Sequence, residues 1–155
     1  MSRSKTKKRI VKDYEFTGLG FPVILSEVEL VQHGADAEDC YPDINSRWLQ
    51  DTVFDFLIDN AVQLTGAQLA FIRHYMDMKQ DDLARALDLK AHGRISQWEQ
   101  ARNKVADIRP VYLAALRAVM ASFRGRRQLS PRFVADIIAG HIEKPKPIRL
   151  KRSAA

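Results

Sequence analysis

Residues 64–103, LTGAQLAFIRHYMDMKQDDLARALDLKAHGRISQWEQARN, restrict the fold more tightly than any other stretch of the chain. Thr65 and Gln68 stand in the T-x-x-Q arrangement of a capping box, with Leu64 and Leu69 placed as the accompanying hydrophobic staple. Leu69, Ile72 and Met76 then fall on one helical face, with Ala70 and Arg73 turned away from it. A second helix is expected near residues 80–87, burying Leu83, Ala84 and Leu87. Asp81 and Asp82 in its first turn complement the helix dipole. Ala84 is small where two helices must cross closely, and Leu89 plugs the turn that follows. Ile95 and Trp98, three apart, bury the inner side of a third short helix. Arg94, Ser96 and Gln97 are left facing outward.

The flanks read differently. Residues 13–32 hold Tyr14, Phe16, Val23, Ile24, Leu25, Val28, Leu30 and Val31, punctuated by Gly18, Gly20 and Pro22. These are strand formers between turn residues, and two short strands are expected, too little sheet to stand alone. Residues 33–45 read as an acidic loop, and His33 and Cys40 within it are too few for a metal site. Residues 46–60 carry Trp48, Leu49, Val53, Phe56 and Leu57 at helical spacing, with Ser46 as the expected cap. Downstream, Pro110 opens a helix with Leu113, Leu116, Met120 and Phe123 inward, and Arg124, Arg126 and Arg127 suit its C-terminus. Ser130-Pro131 opens a last helix with Phe133, Ile137 and Ile138, closing near Gly140.

Charge is strongly partitioned. Residues 1–12 hold six Lys/Arg and no acid, residues 13–60 eleven acids against Arg47 alone, and residues 61–155 eighteen Lys/Arg against eight acids. A basic module beside an acidic one points to a nucleic-acid partner for the first and a basic protein for the second. A single cysteine, Cys40, excludes an intramolecular disulfide framework and a cysteine-based zinc site, and fits the cytoplasm. The start lacks the apolar run of a signal peptide, and no stretch reaches the length of a membrane span. The chain offers no nucleophile motif, no phosphate-cradling glycine loop and no paired carboxylates on a strand–loop frame, so an enzyme is not expected.

The outward residues of the third helix suit base reading. Arginine forms two bonds to guanine and glutamine two to adenine, and the i, i+3 spacing of Arg94 and Gln97 puts both on one face. Lys90 and His92, just before the helix, are within reach of bases or phosphates. Gln80 is placed for a phosphate together with free backbone N–H groups, and Arg102 and Lys104 follow where backbone contacts fall. The alternative is a solvated polar face on a helical bundle.

The run Q-D-D-L-A-R-A-L-D-L followed by R-I-S-Q-W-E-Q resembles the Xre/λ-repressor-like helix-turn-helix family over residues 64–123. The β-containing front and L-T-G-A-Q-L-A-F-I-R are similar, more narrowly, to MqsA-like antitoxin transcription regulators. The resemblance implies that Gln80, Arg94, Ser96 and Gln97 occupy DNA-contacting positions and that Trp98 is core. The chain departs from that pattern in lacking the four zinc-binding cysteines. The turn DLKAHG runs one residue longer, Lys79 replaces the usual Ser/Thr cap, and Ala101 replaces the glycine after the helix.

The expected fold is mainly α: a five-helix λ-repressor-like helix-turn-helix domain preceded by a small β-containing segment and one helix. The expected divisions are a disordered basic tail at 1–12, an acidic β/α segment at 13–60, a DNA-binding domain at 61–140 and a mobile basic tail at 141–155. The expected function is a cytoplasmic, homodimeric transcriptional repressor of double-stranded operator DNA, acting as an antitoxin against a basic protein toxin, with no cofactor, metal or membrane. A stand-alone phage- or host-type regulator without a toxin is the alternative.

Overall fold

The computed structural model describes residues 7–32, 34, 40–126 and 129–151. The protein is mainly α-helical with a small sheet, and it divides into two compact units, Met1–Thr52 with Pro147–Ala155, and Val53–Lys146. His33 and Arg127 lie outside the described residues.

The first unit is built on strand β2 (Val23–Gln32). Strand β1 (Lys7–Phe16) pairs with it antiparallel, from Lys7 opposite Gln32 to Phe16 opposite Val23. The other edge of β2 is shared: β3 (Cys40–Asp43) takes residues 29–32 antiparallel, and β4 (Ile148–Leu150) takes residues 23–25 in parallel. The β1–β2 turn closes with the Gly20 N–H on the Thr17 carbonyl at 3.1 Å, and Gly20 sits at φ 96, where a side chain would be strained. Val23, Leu25, Val28, Leu30 and Val31 are buried, as are Phe21, Leu49, Ile148 and Leu150.

Three expectations are corrected here. Residues 7–12 are not a disordered tail: they form the first half of β1, where Val11 faces Val28 and Lys8 pairs with Glu29 at 3.6 Å. Residues 148–150 are not a mobile tail, because Ile148 and Leu150 alternate with Arg149 and bury both apolar side chains on the sheet. The stretch at 33–45 also contributes β3 rather than loop throughout. Local patterning missed β4 because its partner on β2 is distant in sequence.

Helix α1 (Ser46–Asp59) crosses the division between the units. Its N-terminal bond comes from Asn45, whose Oδ1 accepts the Trp48 N–H at 2.9 Å, and not from Ser46. Within the second unit, Val53, Phe54, Leu57 and Ile58 of α1 are almost wholly buried. The helical boundary therefore precedes the expected one at residue 61, since half of α1 belongs to the helical core.

The second unit continues with α2 (Gly66–Tyr75), α3 (Gln80–Ala86), α4 (Gly93–Glu99), α5 (Pro110–Phe123) and α6 (Pro131–Ile138). The capping box at α2 is complete: Thr65 Oγ1 accepts the Gln68 N–H at 3.2 Å, and Gln68 Oε1 accepts the Thr65 N–H at 3.0 Å. At α3 only the returning half has a chemical basis. Asp82 accepts the Lys79 N–H at 2.9 Å, which holds its carboxyl below the ordinary carboxylate range, while an ammonium cannot accept the N3 amide. The two helices end alike. Asp77 (φ 53) and Asp88 (φ 55) take the left-handed position, and the next amides, Met78 and Leu89, bond back to Arg73 and Ala84. This is the Schellman closure with aspartate where glycine is usual.

Leu69, Ile72, Met76, Leu83, Ala84, Leu87, Ile95, Trp98, Leu113, Leu116, Met120 and Ile137 are buried, as their spacing predicted. Phe123 and Ile138 are not, at 50% and 53% exposed. Phe123 instead rests edge-on against Phe54 and Tyr75, which stack with centroids 4.0 Å apart. Arg124 reaches Asp55 at 2.9 Å and Arg126 reaches Asp59, a contact that raises the guanidinium's proton affinity. These arginines therefore bind α1 rather than serving only their own helix end.

Arg117 is the least expected core residue, 1% exposed. Its guanidinium donates to the Asn60 carbonyl at 2.9 Å, the Val62 carbonyl at 2.7 Å and the Leu113 carbonyl at 3.3 Å. No carboxylate partner is present among the described residues, and burial lowers its pKa to about 10. It satisfies carbonyls left open where α1 ends.

Candidate nucleic-acid interface

Two seven-residue helices, α3 and α4, are joined by the connection at 87–92. Helix α4 begins at Gly93. His92 precedes it in a helical conformation (φ −68, ψ −12), and its carbonyl accepts the Ser96 N–H at 2.9 Å. The turn therefore ends in a near-helical residue, with no side-chain cap.

Helix α4 has two unlike faces. Ile95 and Trp98 are buried, and Trp98 packs on Tyr112 with ring centroids 5.7 Å apart. Arg94 and Gln97 are exposed on a flank about 100° round the helix from them, and neither side chain has a hydrogen bond or ion pair among the described residues. Lys90, Arg102 and Lys104 are likewise exposed and, among the described residues, without a side-chain partner. A surface that leaves a guanidinium and a primary amide fully available can donate and accept at once, which suits an edge with mixed hydrogen-bonding groups.

The remaining predicted residues are engaged within the protein. Ser96 is half-buried, and its Oγ accepts from Gln100 Nε2 at 3.5 Å. His92 Nδ1 lies 2.9 Å from Asp81 Oδ1, tying the turn back to the first turn of α3. Gln80 is half-buried, its Nε2 donating to Glu99 Oε2 at 2.6 Å. The second amide hydrogen and the Oε1 of Gln80 take no part in that bond and remain for another ligand.

Glu99 joins three helices. Besides the Gln80 bond, its carboxylate takes Arg73 Nε at 2.6 Å and Nη2 at 3.3 Å, both side chains being only 12% exposed. Arg73 Nη1 also donates to the Met78 carbonyl at 3.0 Å, closing the α2–α3 turn. Arg73, expected only to lie away from the face of Leu69, Ile72 and Met76, is thus engaged within the protein. A bidentate pair in a partly dry setting fixes orientation as well as distance.

A second device sets the far end of α4. A Cβ built on Gly66 would meet the Trp98 carbonyl, the Glu99 carbonyl and the Arg102 N–H each at 2.6 Å. The first turn of α2 therefore rests on the backbone at the end of α4, and the Ala67 N–H bonds to the Arg102 carbonyl at 2.9 Å. The residue forced into the left-handed region there is Arg102 (φ 52), one position after Ala101. Sequence reasoning missed Glu99, Arg73 and Gly66. The glycine directly after the cap Thr65 was the one local signal, since a helix start gains nothing from it unless another backbone must come close.

No family model, curated protein or solved structure matches the chain. Among the described residues, no three metal-ligating side chains come together, and no helix is long and apolar enough to cross a membrane.

Proposed function

We propose that the protein is a sequence-specific DNA-binding transcriptional repressor whose α4 lies in the major groove of an operator. The observation that carries this reading is the exposed, unengaged pair Arg94 and Gln97 on a helix whose other face is anchored by Ile95 and Trp98. Base reading needs side chains free to form two bonds each, on a support that does not move. Lys90, Arg102 and Lys104 at the two ends of α4 would meet phosphates, and Gln80, held by Glu99, would present its remaining amide groups to the backbone. The helix-turn-helix of the Xre/λ-repressor-like type is the arrangement this reading assigns to α2–α6. Binding as a homodimer would read two half-sites.

For the acidic front, internal pairing favours a stand-alone regulator over an antitoxin. Asp13 meets Arg149, Glu29 meets Lys8, Asp51 meets Arg47, and Asp55 and Asp59 meet Arg124 and Arg126. Five of the eleven acids at residues 13–60 are thus already paired within the chain. Glu15, Glu27 and Asp43 have no ion pair among the described residues, and they keep the antitoxin reading as the second one.

Fluorescence anisotropy on a labelled duplex from the DNA just upstream of this gene, against a scrambled duplex, tests the main reading. The expected preference is about 1,000-fold or more, with affinity falling as salt rises. Equal binding to both duplexes would refute sequence reading, and binding to neither would refute the function. Co-purification with the product of a neighbouring gene encoding a small basic protein would support the antitoxin reading.

A further inference from the structure

The outer edge of β1 is taken by no other described strand, along ten residues. An edge of that length presents a row of amide and carbonyl groups able to template another strand. Ile10 is 64% exposed on it, and Lys7, Lys8, Arg9 and Lys12 are exposed as well. Four bases in six residues would by themselves protect the edge, because like charges facing one another repel. The strand, however, is KKRIVKDYEF: basic in its first half, with Asp13 and Glu15 in its second. An antiparallel copy sets the acidic half of one strand beside the basic half of the other.

Hydrogen bonding limits the registers. Residues opposite one another in an antiparallel ladder are either both bonded across it or both not. On one edge of one strand these alternate, so two identical edges must pair residues of like parity. A twofold axis then passes through a single residue. Centred on Ile10, the pairing sets Lys8 against Lys12. Centred on Lys12, it sets that lysine against itself. Centred on Val11, it sets Lys7 against Glu15, Lys8 against Tyr14, Arg9 against Asp13, Ile10 against Lys12 and Val11 against Val11. Of these three, only the last puts opposite charges together without opposing like ones.

The in-chain contacts agree with it. Lys8, which would find no acid opposite, already has Glu29 at 3.6 Å. Lys7 and Glu15, which would find each other, have no ion pair among the described residues. Asp13 lies outside the β1–β2 ladder, at φ 52, with Arg149 at 3.3 Å, so the incoming Arg9 would share an exposed carboxylate.

We propose that β1 pairs with β1 of a second copy, antiparallel and centred on Val11, extending the sheet across a twofold axis. Such an interface is isologous, so every pair occurs twice. The pairing does not depend on DNA binding, and its test contains no DNA.

Sedimentation velocity on the full chain and on Lys7→Glu and Glu15→Lys tests it. Each substitution turns two attractive pairs into two repulsive ones, and the dissociation constant of each variant should rise roughly tenfold or more. Mixed in equal amounts, the two variants restore both attractions, because the acid introduced at position 7 of one faces the base introduced at position 15 of the other. The mixture should therefore dimerise about as well as the parent chain. A monomeric parent, variants that dimerise undiminished, or a mixture no better than its components would each overturn the pairing. Circular dichroism on both variants shows that the strands are retained.

Discussion

Glu99 Oε2 accepts the amide of Gln80 at 2.6 Å while Oε1 of the same carboxylate takes Arg73 Nε at the same distance. One side chain near the end of α4 thereby sets the angle between α2, α3 and α4. Removing one member of a largely buried pair leaves the other charge without compensation. Glu99→Ala should cost about 3 kcal/mol in urea unfolding. Glu99→Ala with Arg73→Met should recover part of that loss. A loss below about 1 kcal/mol would place this contact among ordinary surface pairs.

Gly66 admits no side chain without movement of backbone atoms that are themselves hydrogen-bonded. Gly66→Ala should lower stability by about 3 kcal/mol or more, although alanine is the better helix former by about 1 kcal/mol. Thermal melting reads the sign directly. An unchanged or raised Tm would mean that α2 and the end of α4 can part cheaply.

The proposed base-reading and phosphate roles separate in the form of the loss. Arg94→Ala and Gln97→Ala should each cost about 1–3 kcal/mol on the preferred duplex and much less on scrambled DNA. Arg102→Ala should weaken both duplexes alike and reduce the salt slope by about one. Equal losses on both duplexes for Arg94→Ala would remove its base-reading role.

Arg117 feeds three carbonyl oxygens from a position with almost no access to water. Arg117→Ala should cost about 3–5 kcal/mol, combining a cavity with buried carbonyls left unbonded. Arg117→Lys, with one ammonium in place of the guanidinium fork, should fall between the two. Denaturant unfolding of all three proteins gives the order, and a lysine variant as stable as the parent would contradict it.

Asp82 supplies a pH dependence with a definite sign. Its carboxyl is held below the ordinary 3.8 in the folded chain, the Lys79 amide being the largest cause. The folded state therefore binds fewer protons there than the unfolded one. Its stabilising contribution is present above the unfolded pKa and fades as pH falls through the folded one. Asp82→Asn should flatten the acid limb of a stability–pH curve below about pH 4 while changing the neutral region less. A steeper limb in the variant would reverse the assignment.

Much of the helical unit was legible in the sequence because its signals are local. The Thr65–Gln68 box, the Ile95–Trp98 spacing and Pro110 at a helix start each act within a few residues. The sheet was only half legible. Gly18, Gly20 and Pro22 mark the turn between β1 and β2 but not how far β1 runs back from it, and Ile148 finds its partner on β2 with no turn signal to announce it. At the candidate interface, exposure of Arg94 and Gln97 followed from periodicity. The engagement of Gln80, Ser96 and His92 did not, because Gln80 meets a residue nineteen positions away and His92 one eleven away. Asp77 and Asp88 hid the ends of α2 and α3, since aspartate in a left-handed position looks like any surface acid in sequence.

The carbonyl-only coordination of Arg117 has a practical consequence. Mobile ions weaken contacts between exposed charges, such as Arg47 with Asp51, but reach a buried guanidinium held by backbone dipoles far less. The junction of α1 with α5 should therefore persist at ionic strengths that would release DNA bound in the proposed way. A salt titration on this chain then reports ligand release rather than loss of the scaffold.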